Sequence, residues 1–458
     1  MANRLIDKTA VSSMTDFDFI YGAFGGATHK MKISDFRTNL NQNDQQVLND
    51  LAFYIDINTA SSKESTRVDV GGNLGMIDTL FNMRQNVLMD ANGNYCHLNR
   101  NDSNYTEDGE RITDSNGALL AKWQKCDMMI IIPEYYGRVQ TVTVGSTTKY
   151  VPWFSAVPLP GGFTIPQQVV GMYKSTNVSE KMRSLPNYVS ANDRQIIGSN
   201  RNGIGFWEMA QARSKNHGLA NLDFQNYLLF YMMAKYGYRD SQNCKNADGT
   251  LVWGVGLDGT YNPTGSTVDG WGRQNGIKHG ACLSLGLRDG KGAATDSAGG
   301  TVYSVNVGGF ENPWGQRWEM RQGLCSVGTD VYCWRANWLP TGTPTASSFD
   351  NIDYVKLTRA TSDGVTKMNI KTSANDQGVY MIPEASASGI SYGDNYWYSA
   401  SGQLWLFGGY SDPGASCGLA SAYSLHAWSD SASGISARLA YYGQTKRVTP
   451  TELARLAA

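Results

Sequence analysis

Two short apolar runs, residues 404–407 and 437–441, bracket residues 408–436, and neither a helical nor a strand period joins them. The first run, Leu-Trp-Leu-Phe, closes on Gly408-Gly409, as a strand entering a turn does. The second, Ala-Arg-Leu-Ala-Tyr, reads as another short strand. Between them lie Ser, Ala, Gly, Tyr and Asp, with His426 and Trp428 among them. A helix would need apolar residues at three- and four-residue spacing, and a core strand would not carry so many hydroxyls. The chain must therefore frame a long loop with short strands. Small polar residues mixed with rigid aromatics are the make-up of binding surfaces, because aromatic rings give contact area at little entropic cost. The plainer alternative is an ordinary long surface loop.

At 458 residues the chain is too long for one small core. Its 39 Lys plus Arg balance 40 Asp plus Glu, so no basic excess points to nucleic acid or to an anionic membrane. Fifty glycines, 25 tyrosines and 12 tryptophans, with only 17% charged residues, favour a turn-rich architecture of short strands. The longest apolar runs, at 128–132 and 228–233, are too short to cross a bilayer. MANRLIDKTA lacks the apolar centre of a signal peptide, which leads us to expect synthesis in a cytoplasm. The seven cysteines are scattered without a CxxC pair and read mostly as buried small apolar residues rather than disulfides.

Residues 1–45 read as a unit of their own: a strand at 17–21, a turn at Gly25-Gly26, a strand at 29–33 and a brief helix capped by Ser34. Two strands and a helical turn cannot fold alone, so this piece should dock on something larger. It resembles the N-terminal attachment segment of phage tail-fibre proteins, with an acidic strand, a Gly turn, a basic strand and then Ser-Asp-Phe. Residues 46–89 read as a linker and oligomerisation segment. Its apolar patch spans 48–57, and a helical stripe follows at Met76, Leu80, Met83 and Val87.

From Asp90 on, several motifs follow in order. HLNRNDSNYTEDGERI precedes a buried strand at 128–132 that Pro133 stops. Helices are expected over 206–213 and 222–236. The second shows an apolar face of Phe224, Tyr227, Leu228, Tyr231 and Met232 and a stop at Gly237. GGFENPWGQRWEMRQGL starts at Gly308, DQGVYMIP ends at Pro383, and the 404–442 stretch completes the set. Residues 90–446 resemble the C-terminal domain of phage receptor-binding proteins with a C-type-lectin-like fold. That fold is shared with formylglycine-generating enzymes and with the variable proteins of diversity-generating retroelements. The resemblance implies that Trp314 and Trp318 pack beneath the binding loops. After it, residues 447–458 read as a helical tail, with Thr449 as N-cap, Pro450 first and Glu452 completing a capping box. Leu453 and Leu456 would face a neighbouring subunit or fray.

Catalytic and metal chemistry find little support. No two of the five histidines lie at ligand spacing. DANGN at Asp90 has alternating oxygen ligands but lacks the Gly and Glu of a calcium loop. The formylglycine-generating enzymes need two metal-binding cysteines, whereas this region holds only Cys417. A polysaccharide-cleaving fibre would need a carboxylate pair in a groove, with Glu311, Glu319 and Asp330 as candidates, although Glu319 beside Trp318 reads as a brace for the fold.

The expectation is therefore an α+β chain: a small β-rich virion-attachment segment and a large C-type-lectin-like domain of short strands, two or more helices and long loops. It implies a non-enzymatic virion fibre protein, made in the host bacterial cytoplasm, a homotrimer attached to other virion structural proteins through residues 1–45. It would bind a host surface receptor, a glycan or a surface protein, through Tyr410, Asp412, Tyr423, His426, Trp428 and Asp430, with no cofactor and no metal. The rivals are a decoration protein without a receptor, a depolymerase, and a cellular variable protein outside any virion.

Overall fold

The computed structural model describes residues 19–24, 27–32, 44–57, 68–144, 147–198, 204–254, 258–259, 277–295, 301–366, 368–372, 379–383, 392–409 and 417–458. Among them the fold is mixed α+β. Five helices are present: α1 (Asp44–Leu51), α2 (Gly75–Asn82), α3 (Phe206–Arg213), α4 (Leu222–Tyr236) and α5 (Pro450–Ala457). None is long and apolar enough to cross a membrane. Near the N-terminus, Phe19–Phe24 and Ala27–Lys32 pair as an antiparallel hairpin. The expected turn at Gly25-Gly26 and the helix after Ser34 lie outside the described residues.

The strand Asp127–Ile132 is the centre of the body. It is buried throughout, and the two-residue period sends its side chains into two different cores. Met128, Ile130 and Ile132 enter one core with α2 and α4, while Met129 and Ile131 enter another with α3. A sheet covered on both faces needs such a continuous apolar strand rather than an alternating one. Around it runs a seven-stranded sheet in the order 217–219, 439–441, 168–171, 127–132, 85–89, 94–97 and 446–447. An eight-stranded sheet is built on Trp318–Val327. Its path runs 355–358, 330–333, 318–327, 404–407, 422–424, 395–398 and 364–365, and Ile435–Ala437 pairs in parallel with 318–320.

Helix α4 packs between the sheets. Its broad apolar face extends all the way round, since every residue from Leu222 to Ala234 is buried, as a core helix requires. Asn221 caps its start by accepting from the Phe224 amide at 3.1 Å. Gly237 ends it in the left-handed region at φ 71°, where a Cβ would be strained.

Three expectations need correction. The described residues within 46–89 are built into the fold rather than forming a linker. Phe53–Asp56 and Asp69–Gly72 on one side, and Phe163–Ile165 on the other, extend the hairpin of Tyr135–Val144 and Thr147–Ser155 into a five-stranded sheet. Phe53, Ile55 and Ile57, from the apolar patch at 48–57, are fully buried in the core of the same chain. The helix over 74–89 ends at Asn82, where buried Arg84 donates Nη1 to the Phe81 carbonyl at 2.9 Å. Gln85–Met89 is instead a strand paired with Asp127–Ile132, with Val87 and Met89 on one face and Leu88 on the other. Finally, α5 lies on its own chain: Leu453 is fully buried in the core, while Leu456 is 38% exposed.

All seven cysteines are buried, and none is in a disulfide. At Asp90 the carboxylate accepts from the Asn92 and Asn94 amides at 2.8 and 3.0 Å and from Asn94 Nδ2 at 2.8 Å.

Candidate functional site

Residues 404–442 divide between the two large sheets. Leu404–Phe407 is a central strand of the eight-stranded sheet, with Leu404 and Leu406 in one core and Trp405 and Phe407 in another. The expected strand over 437–441 is broken at Arg438: Ile435–Ala437 pairs with Trp318–Met320, and Leu439–Tyr441 crosses into the seven-stranded sheet. The Arg438 side chain fills the crossing point and has no exposure. It donates to Glu319 and also to the carbonyls of Gly171, Met172 and Glu311 at 2.8–3.0 Å.

Glu319 is equally buried and meets three cations: Arg438, Arg321 and Lys174, the last at 3.3 Å. Burial pushes its carboxyl up, but the two guanidinium groups and the ammonium outweigh that and hold it well below the usual range. Lys174 pays for its position: burial first, with the Arg438 and Arg321 charges adding and Glu319 opposing, brings its ammonium down to about 7. Glu311, held by the Gly280 and Cys282 amides, is raised by burial to about 7. Of the three carboxylates considered for sugar cleavage, Glu311 and Glu319 are thus enclosed, and Asp330 pairs with Lys356 Nζ at 2.7 Å on the eight-stranded sheet.

The network reaches the base of the display loop. Arg321 Nη2 donates to Gln225 Oε1 on α4 at 2.9 Å, and Gln225 Nε2 donates to the Leu419 carbonyl at 2.7 Å. Ser241 Oγ accepts from the Leu419 amide at 2.9 Å, and Asp394 accepts from the Ala420 amide at 2.8 Å. Gln242 Nε2 donates to the Cys417 carbonyl. Residues 417–421 are therefore held by buried side chains from elements on both sides.

Beyond this base, the strand Ala422–Ser424 turns Ala422 and Ser424 inward and leaves Tyr423 half-buried. The Tyr423 ring lies 5.1 Å from Trp318, 5.8 Å from Trp397 and 5.1 Å from His426. Trp318 and Trp397 meet edge to face at 5.5 Å. His426 Nδ1 is 3.0 Å from Asp430 Oδ2, which also accepts from the Ala427 amide at 2.9 Å, so the 426–430 turn has a defined shape. Tyr423, His426 and Asp430 form one partly exposed group. Trp428 does not join it. Its side chain is buried in the core, 4% exposed, and Nε1 has no hydrogen-bond partner among the described residues. Tyr410 and Asp412 lie outside the described residues.

Sequence reading missed Trp397, which completes the aromatic group, and Gln225, Ser241, Gln242 and Asp394, which hold the loop. Trp397 follows Tyr396 in an aromatic Asn-Tyr-Trp-Tyr run, a composition enriched in strands that could have been read. Among the described residues no cluster of three or more metal-ligating side chains occurs. Compared with known proteins, the chain matches no protein-family model, and no curated sequence matches it.

Proposed function

We propose that this chain is a virion fibre protein of phage, presenting a host-receptor surface on a C-type-lectin-like body. Residues 1–45 attach it to other virion structural proteins, and three copies act together, since linked copies turn a second contact into an intramolecular one. The observation that carries the reading is the Tyr423–His426–Asp430 group, backed by Trp318 and Trp397 and set on a loop base held by buried side chains. Aromatic rings with polar edges on a fixed frame bind at low entropic cost.

The test is adsorption. Particles carrying Tyr423→Ala or His426→Ala should attach to host cells about tenfold more weakly or worse, because a few aromatic anchors usually dominate an interface. Full adsorption by both variants would reject the receptor role and leave a decoration protein.

A further inference from the structure

A pocket of about 330 Å³ opens beside the display loop, lined by Thr176, Asn177, Val189, Ser190, Ala191, Asn192 and Arg194. It adjoins that loop directly: Asn192 Nδ2 donates to the Ser433 carbonyl at 3.3 Å, and the Asp193 amide donates to the Ala432 carbonyl at 3.0 Å. Its size is at the small end for ligand sites, room for one ring rather than an extended chain.

The lining mixes donors and acceptors. Thr176 and Ser190 bring hydroxyls from nearly buried positions. Asn177 uses its Oδ1 within the fold, accepting from the Glu180 amide at 2.9 Å, and Asn192 uses its Nδ2. The other end of each amide is left for a ligand. Among the described lining residues the one charge, Arg194, is already matched by Glu180 at 3.1 Å and by the Ile204 carbonyl at 2.9 Å. Of the lining residues, Val189 is the most open, 41% exposed.

Left-handed backbone positions gather around the pocket. Of the five non-glycine residues with left-handed φ among those described, Ser179, Glu180, Asn187 and Asp193 flank the lining. Asn and Asp tolerate that region, and Ser179 and Glu180 are the two-residue turn of the hairpin 176–178 and 181–183, whose twist calls for positive φ at both positions.

Ser190 also lies 2.9 Å from His279 Nε2, while His279 Nδ1 faces the Leu185 carbonyl at 3.3 Å. This pair resembles a nucleophile and its base. However, His279 is buried among Arg438, Arg317 and Lys174, and burial chiefly brings its imidazole down to about 3. A base so weak cannot take the serine proton near neutrality. The pair fixes the pocket floor instead.

We propose that this pocket binds a single neutral hexose or N-acetylhexosamine unit. Hydroxyls and amides pair with the sugar's hydroxyls, Val189 meets its apolar face, and the compensated arginine gives no preference for an acid. The inference stands on the pocket alone and does not need the receptor role.

Saturation-transfer NMR on the intact chain, with the methyl glycosides of glucose, galactose, mannose, N-acetylglucosamine and N-acetylgalactosamine at millimolar concentration, tests it. At least one should show transfer. Thr176→Val and Asn192→Ala should each weaken that binding about fivefold or more, the value of one ordinary hydrogen bond. Leu456→Ala, remote on α5, should leave it unchanged. No transfer from any of the five, unchanged binding in both folded pocket variants, or stronger transfer from glucuronic or N-acetylneuraminic acid would overturn the proposal. Sugar binding with adsorption insensitive to Tyr423 and His426 would sink the receptor reading and leave the pocket standing; the reverse pattern would do the opposite.

Discussion

Arg438 and Glu319 form a bidentate ion pair with no solvent exposure on either side, Nε to Oε1 at 3.0 Å and Nη2 to Oε2 at 3.1 Å. The pair joins the strand that closes the display segment to the strand at the centre of the eight-stranded sheet. Such a pair gains little over an apolar replacement, because desolvation offsets the attraction, yet breaking it leaves a charge stranded.

Arg438→Met should therefore destabilise the chain by about 3–5 kcal/mol, the usual cost of breaking a buried pair. Glu319→Gln should cost more than Arg438→Met, since it leaves Arg438, Arg321 and Lys174 facing one another without an anion. Urea melts of the two single variants give the order. The reverse order would mean that Glu319 is not the hub.

Trp428 tests the interior placement of a residue whose sequence context is a display loop. Trp428→Ala should cost about 3–5 kcal/mol for the emptied space. Trp428→Phe should cost far less, because it also removes a buried N–H that has no partner among the described residues. If thermal melts show both variants as stable as the parent, the side chain is at the surface after all.

Acid should weaken the fold through two imidazoles. Burial, aided by Arg213 and Arg183 and opposed by Asp127, brings His217 down from 6.5 to about 4, and His279 falls to about 3. Both histidines are neutral in the fold and take protons first in the unfolded chain. Their contribution is whole above pH 6.5 and is lost as pH falls towards 4 and 3. Glu311 works against this: raised from 4.5 to about 7, it binds its proton first in the fold and adds stability as pH falls across that range. His217→Gln should flatten the drop in melting temperature between neutral and mildly acidic buffer, and Glu311→Gln should steepen it. Parallel curves for all three proteins would contradict the assignment.

The tail offers a local control. Thr449 Oγ1 accepts from the Glu452 amide at 3.2 Å, so Thr449→Ala should cost about 1 kcal/mol, as lost N-caps do. Leu453→Ala should cost about 2–5 kcal/mol and Leu456→Ala no more than roughly 0.5 kcal/mol. Equal losses at the two leucines, measured by calorimetry, would mean that α5 does not lie on its own chain as described.

What could be read along the chain was whatever neighbouring residues settle among themselves. Helix α4 and its Gly237 stop, the cap at Thr449, the strand ended by Pro133 and the Leu404–Phe407 strand all have their signals within a few positions. Cap hydrogen bonds, allowed φ and side-chain period are local physics. The stripe through Val87 misled for the same reason. A short apolar run fits helix or strand until a partner appears, and its partner is the strand Asp127–Ile132. Arg438 and Glu319 stand 119 positions apart; Trp318 beside Glu319 suggests a brace for the fold, but nothing along the chain names Arg438 as its buried partner, since charged side chains ordinarily stay in water. Their meeting depends on which strands lie side by side. So does the inward turn of Trp428, the gathering of Trp318, Trp397 and Tyr423, and the joining of the 176–177 and 189–194 segments into a pocket. Those are consequences of packing, where contacts between distant segments outweigh any preference a single stretch of chain can express.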